Sequence, residues 1–308
     1  MAPRVKLDRA AIADAAERLT GRIVATPVQP LESEELGLPR RLTLKLENLQ
    51  HSGSFKARGA MNGLLCARVG SDGVVAASGG NHGAAVAWAA QSLRHPAHIF
   101  VPSIISGRKL EKLRLYDAHV HVTGNEYHDA LSAAHQFSQG RDCVELHAYD
   151  QAEVVSGAGT IAKEIDIQVP DATTIVVACG GGGLAGGLAT WWGTNKRLIA
   201  VETEGTQTWA TARVAGKPVN IEVSGLAADS LGARRLGDLG WNALVSSQAE
   251  SVVVTDEEVS AAQTALATKF GVASEPAAAA GLAALLSGKT SISEEEHCVL
   301  VICGANSD

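Results

Sequence analysis

Lys56 stands in the segment Glu47-Asn48-Leu49-Gln50-His51-Ser52-Gly53-Ser54-Phe55-Lys56-Ala57-Arg58-Gly59-Ala60, where an apolar run passes through a Gly/Ser turn into a helical pattern that Lys56 opens. An amine near a helix N-terminus, beside the Phe55 ring in an apolar pocket, has its charged form disfavoured. That is what a lysine needs in order to attack a carbonyl and form an imine. The same spacing also suits a surface lysine whose head reaches water from the first helical turn, and the segment by itself does not choose.

Two glycine turns extend the set. Ala77-Ser78-Gly79-Gly80-Asn81-His82-Gly83 leaves a strand and precedes a helix expected from Ala84 to Leu93. Its backbone N–H groups, with the Ser78 and Asn81 side chains, converge as a carboxylate requires. An ordinary strand-to-helix turn fits equally well, with His82 a hydrogen-bonded core residue. Cys179-Gly180-Gly181-Gly182-Gly183-Leu184-Ala185-Gly186-Gly187 again joins a strand to a helix, and its amides can wrap a phosphate at the helix N-terminus. Gly181, Gly183 and Gly186 also satisfy G-x-G-x-x-G, and Glu202 lies about twenty residues on, where a dinucleotide site places its ribose-binding acid. A nicotinamide-dependent dehydrogenase is therefore an alternative from this region. The last strand, Val299-Leu300-Val301-Ile302, releases the Cys303 thiol into the turn Gly304-Ala305-Asn306, a pattern that also suits a plain strand end.

The elements that must position these groups are short apolar runs alternating with Ala-rich helical patterns. Leu42–Leu49, Val74–Ser78, His98–Pro102, His119–Val122, Val144–His147, Thr174–Cys179, Leu198–Glu202, Val252–Thr255 and Cys298–Cys303 are predicted strands. Several are apolar at successive positions, as in strands covered on both faces of a parallel sheet, so the fold class is α/β. Asp8 is expected to cap a helix that ends before Gly21, and Thr255 with Glu258 to form a capping box. His119 and His121 share a strand face, read as solvated rather than zinc-binding.

A chain of 308 residues, 46% hydrophobic, buries a large core as two domains or one two-lobed unit. The net charge of -7, with no basic stripe, points away from nucleic acid and toward a small-molecule partner. Met1–Ala10 lacks a secretory apolar region, and the longest apolar run, Pro276–Leu286, is too short to span a bilayer, so a cytoplasmic location is expected. Five cysteines, none spaced C-x-x-C, suggest neither a disulfide framework nor structural zinc.

Taken in order, Asn-x-x-x-x-Gly-Ser-Phe-Lys, Ser-Gly-Gly-Asn-His, the glycine run, Ser-Glu-Pro-Ala and Cys-Gly-Ala-Asn resemble the fold-type II pyridoxal-phosphate (PLP) enzymes, specifically the serine/threonine dehydratases. The likeness covers residues 15–308 and includes Thr26-Pro27-Val28 and Gly157-Ala158-Gly159-Thr160. It implies two lobes, each with a largely parallel sheet flanked by helices: residues 1–50 and 148–308 form a large cofactor-binding lobe and 51–147 a small mobile one. It implies a homodimer and an amino-acid substrate that loses its β-hydroxyl to give a 2-oxo acid and ammonia. By position, Lys56 carries the cofactor as a Schiff base, Phe55 packs near the ring and Asn81 meets its phenolic oxygen. Gly180, Gly181, Gly182, Gly183 and Leu184 cradle the phosphate, and Cys303 faces the pyridine nitrogen. Ser54, Ser78, Asn81 and His82 are the implied holders of the substrate carboxylate. A thiol at the pyridine nitrogen leaves it uncharged, which favours elimination over transamination.

Three departures bear on activity. The similar serine racemases place a basic serine at the position of Gly79, so little racemisation is expected. The family's divalent cation uses a glutamate matching Glu202 and an aspartate six residues on, but that place holds Thr208, so a metal site is not expected. His147-Ala148-Tyr149-Asp150 lacks the usual proline after its histidine and borders the substrate pocket, leaving open 3-hydroxyaspartate or a β-replacement reaction like that of cysteine synthase. The chain ends at Asp308, just past the last strand, so no regulatory domain is expected; an inactive scaffold of this fold would not need the lysine, the asparagine and the glycine loop together.

Overall fold

The computed structural model describes residues 6–31 and 41–306. Of the segment Met1–Ala10, read as lacking a secretory apolar region, residues 1–5 lie outside the described residues. Two sheets organise the chain. The larger has the order β1 (Val28–Leu31), β2 (Leu42–Leu46), β10 (Cys298–Ile302), β7 (Thr174–Ala178), β8 (Arg197–Thr203), β9 (Glu250–Val254). All its pairings are parallel except β1 with β2. The smaller is wholly parallel, in the order β5 (His119–Val122), β4 (Ala97–Val101), β3 (Gly73–Ala77), β6 (Cys143–Glu145).

The smaller sheet shows the two-residue period directly. Val74, Ala76, Ile99 and Val101 pack on one face with α2 (Lys56–Cys66) and α3 (Asn81–Leu93), while Val75, Ala77 and Phe100 pack on the other with α5 (Tyr127–Ser138). In the larger sheet, every residue of β7 and β10 is buried, which explains their uninterrupted apolar runs. Asp8 caps α1 (Arg9–Leu19), and Thr255 with Glu258 forms the capping box of α10 (Asp256–Phe270), as expected. Among the described residues no helix is long and apolar enough to cross a membrane.

Some boundaries differ from the sequence pattern. The run Leu42–Leu49 is strand only to Leu46, because Glu47–Leu49 tightens into a single 3-10 turn. Thr255 is not strand but the cap of α10, since its hydroxyl accepts from the Glu258 amide. β1 was not anticipated: four residues at an antiparallel edge, containing Pro30, carry little apolar periodicity. Helix α3 begins at Asn81 rather than Ala84, after Gly80, so Asn81 and His82 occupy its first turn instead of a loop.

Helix α6 (Ala152–Gln168) lies between α2 and α7 (Gly183–Trp192), and small residues let the three backbones approach closely. A Cβ on Gly157 would stand 2.6 Å from the Arg58 carbonyl oxygen, and one on Gly187 would stand 2.8 Å from the Gly159 nitrogen. The start of α2 and the start of α7 are thereby fixed to the same helix.

An ion cluster locks α2 further. The Arg58 guanidinium donates to both oxygens of Glu47 (2.7 and 2.7 Å) and both of Glu164 (2.6 and 2.8 Å). Lys45 Nζ donates to Glu164 at 2.6 Å, to Gln168 and to the Thr26 carbonyl. Arg58, Lys45 and Glu47 are fully buried. Two cations and two carboxylates balance, and the carboxylates hold the Arg58 charge on despite burial. Removing one member strands its partners in low dielectric. Arg58→Met should therefore lower unfolding free energy by about 3–5 kcal/mol in urea titrations; a loss under about 1 kcal/mol would show that the cluster does not hold the helix.

Candidate active site

Lys56 opens α2 at the meeting of the two sheets. Its Nζ donates to the Ala148 carbonyl at 2.7 Å and lies 5.1 Å from the centre of the Phe55 ring. Desolvation pushes its pKa down to about 8, against the opposing pull of Cys303 and Glu275. The anticipated apolar environment of the amine is present.

The chain leaving β10 is stitched to the turn before Lys56. The Phe55 amide donates to the Cys303 carbonyl at 3.0 Å, the Ala305 amide to the Gly53 carbonyl at 3.1 Å, and Ser54 forms an isolated bridge with Gly304. This pairing brings Cys303 beside the lysine. Burial, then Glu275, raises the thiol pKa well above its ordinary value, so Cys303 stays a neutral thiol. The Ser52 and Ser54 hydroxyls are buried without a hydrogen-bond partner, and Ser52 holds a left-handed backbone with φ of 57°. Unsatisfied hydroxyls and strained backbone together are characteristic of a site shaped for a ligand.

Glu275 and Asn306 join this site, and sequence reasoning assigned neither a role although both lie in quoted motifs. Asn81 Nδ2 donates to both oxygens of Glu275 at 2.8 Å. Asn306 Nδ2 donates to Asn81 Oδ1 at 2.6 Å and to the Ser52 carbonyl at 2.7 Å, its amide donates to Glu275 at 3.3 Å, and its Oδ1 accepts from Lys112 Nζ. Glu275 precedes α11 (Pro276–Leu286), whose Pro276 at the first position directs the chain away. Burial raises the pKa of Glu275.

The other members of the second turn divide. Ser78 Oγ accepts from the Gly80 amide at 3.3 Å. His82 is buried, and its Nε2–H donates to the Leu146 carbonyl at 2.9 Å. Burial, then the Lys56 charge, pushes its pKa down to about 3, so His82 is a neutral ring tied to the end of β6.

The glycine run follows β7 as expected. Gly182, with φ of 84°, caps α7, whose first amides have no carbonyl partner within the helix. A Cβ on Gly181 would lie 2.3 Å from the Tyr149 ring, and one on Gly183 would lie 2.9 Å from Tyr149 Cβ. Tyr149 thus forms one wall of the loop. His147 Nδ1 accepts from the amides of Tyr149 and Asp150 at 3.3 and 2.9 Å, which fixes that wall, and Asp150 receives the Leu239 amide of α9 (Asp238–Ser246) at 2.9 Å.

The dinucleotide alternative loses its acid. Glu202 is fully buried and accepts from the amides of Trp209 and Ala210 in α8 (Thr208–Ala215), so it does not face a ribose. His119 is exposed on the edge strand β5 and stacks on His98, which also stacks on His121. Among the described residues no group of three or more histidines, cysteines or carboxylates could hold a metal.

Comparison with known proteins agrees with this arrangement. A family profile described as pyridoxal-phosphate dependent enzyme matches residues 19–304. An L-threonine ammonia-lyase of Geobacter sulfurreducens is 34% identical over 96% of this chain and 75% of its own length. A serine racemase of Arabidopsis thaliana is 35% identical over 98% of this chain and 93% of its own. The solved structure of maize serine racemase superposes with a TM-score of 0.92 at 31% identity, covering 99% of this chain and 95% of that one. A profile match over most of the chain, relatives of both activities and a shared two-sheet fold lead to one conclusion: the chain belongs to the pyridoxal-phosphate dependent enzymes of fold type II, in the group of threonine dehydratases and serine racemases.

Proposed function

We propose that this enzyme is an ammonia-lyase that eliminates the β-hydroxyl of L-threonine, L-serine or a related β-hydroxy amino acid, giving a 2-oxo acid and ammonia. The observation that carries this reading is Lys56: an amine with a pKa of about 8, beside a neutral thiol and an unoccupiable-by-side-chain glycine cradle. These residues fit pyridoxal phosphate. When bound, that cofactor supplies an electron-withdrawing ring that acidifies the Cα–H bond of an amino acid.

The chain's own residues do the rest. Lys56 Nζ would hold the cofactor and is the group placed to take the Cα proton; its depressed pKa makes the neutral, basic form available near neutral pH. The Ala148 carbonyl, 2.7 Å from Nζ, orients it. The amides of Gly180–Leu184 hold the phosphate at the positive end of α7. Cys303, a neutral thiol, would offer the cofactor ring no carboxylate partner, which favours elimination over transamination. Asn81, aimed by Glu275 and Asn306, would hold the cofactor's phenolic oxygen, while Ser54, Ser78 and the amides at the start of α3 would receive the substrate carboxylate. His82 holds that segment to β6 rather than carrying charge. In this reading residues 51–147 form a small lobe that closes on the lobe of residues 1–50 and 148–308, and the enzyme is a homodimer.

Elimination rather than racemisation is supported at Gly79. A Cβ there would stand 2.9 Å from Ile105 Cδ1 and 3.6 Å from Val101 Cγ1, so the position itself offers no hydroxyl and a side chain added there would meet alkyl groups first. The enzyme should form 2-oxo acid from L-serine or L-threonine, without added nucleophile and with negligible D-serine. Gly79→Ser alone should not add racemisation, whereas Gly79→Ser with Ile105→Ala should; rapid D-serine formation by the wild type would overturn the assignment. Lys56→Ala should lose at least about a thousandfold in 2-oxo acid production, and substantial residual turnover would refute its role. Since the neutral amine is the attacking form, covalent capture of the cofactor by the apoprotein should accelerate as pH rises through about 8 and then level off. A rate independent of pH over that range would contradict the buried-amine assignment.

A further inference from the structure

Glu202, at the end of β8, carries no exposed surface, and both its oxygens are occupied. Oε1 accepts from the Trp209 amide at 2.6 Å and Oε2 from the Ala210 amide at 2.8 Å, so the carboxylate closes the first turn of α8. The Thr208 hydroxyl lies 3.0 Å from Glu202 Oε1 and donates to the Gly180 carbonyl at 2.5 Å. Gly180 is the first residue of the glycine loop. Nearby, Thr203 and Thr206 satisfy one another through their hydroxyls at 2.9 Å.

A hard divalent cation takes six or more oxygen ligands, usually with more than one carboxylate. Here the single carboxylate faces N–H donors and the adjacent side chains are threonines, so the cation implied by the family resemblance does not fit. We propose that Glu202 and Thr208 are positioning residues that brace the Gly180 carbonyl against the start of α8, keeping the phosphate-binding loop in shape with no metal ion. This rests on the reading that the glycine loop holds the cofactor phosphate.

The test compares binding of pyridoxal phosphate and of pyridoxal to the apoprotein, by their visible spectra, in wild type, Thr208→Val and Thr208→Ser, each in EDTA, magnesium or calcium. Pyridoxal lacks the phosphate, so its capture reports Lys56 alone: a failure at the lysine affects both compounds, and a failure of the brace affects only their ratio. In the wild type the preference for pyridoxal phosphate should be the same in all three conditions. Thr208→Val should cut that preference about tenfold, the effect of one buried hydrogen bond, while Thr208→Ser, which keeps the hydroxyl, should preserve it. Thermal midpoints of the apoproteins establish that each variant is folded. An undiminished preference in folded Thr208→Val would overturn the proposal. So would a wild-type preference that falls in EDTA and returns with magnesium, which needs no variant at all.

Discussion

Arg58 sits two residues beyond Lys56 on one helix, and its guanidinium grips Glu47 and Glu164 from inside the protein. Through these bonds the 3-10 turn after β2, the start of α2 and the C-terminal part of α6 become one body. A planar fork with five donors suits this task where a lysine would not, because it meets two carboxylates in fixed directions at once. Such clusters add little net stability over a well-packed apolar equivalent. Their effect here is registration: the reactive amine cannot slide along α2 without breaking the charge balance. Because α6 also packs closely against α7, that registration extends to the glycine loop.

The site so positioned is built from groups whose charged forms burial disfavours. Lys56 is pushed toward its free amine, Cys303 remains a thiol, His82 stays uncharged, and burial raises Glu275. An enclosure of this kind favours a step in which a proton leaves carbon for an amine, since neither the amine nor its surroundings are strongly solvated. In the proposed reading the thiol completes the selection of chemistry. A carboxylate in its place would make the ring a fuller electron sink and open the way to other outcomes.

Much of this was legible in the residues. The apolar runs of β7 and β10, the Asp8 cap, the Thr255–Glu258 box and the α/β class follow from local pattern, whereas the lysine, glycine-loop and thiol segments each also fit a plain structural reading and stand out only by their order along the chain. What escaped were features that break local rules. Lys45 alternates with leucines like a solvent-facing strand residue, yet it is fully buried because Glu164 awaits it from a distant helix. Glu275 looks like a simple helix cap before Pro276, and only the fold shows it reaching Asn81 across nearly two hundred residues. Glu202, spaced for a ribose or a cation, instead accepts from two backbone amides that the first turn of α8 leaves without helical partners. Pairings made across the chain leave no mark on the spacing of either partner.

The most direct test is borohydride reduction of the holoenzyme followed by peptide mass mapping, read together with the spectrum before and after L-serine or L-threonine. A cofactor adduct on the peptide containing Lys56, and a visible band that either amino acid shifts, is the predicted result. An adduct on another lysine, or a protein that takes up no cofactor, would contradict the assignment of Lys56 as the amine around which the site is built.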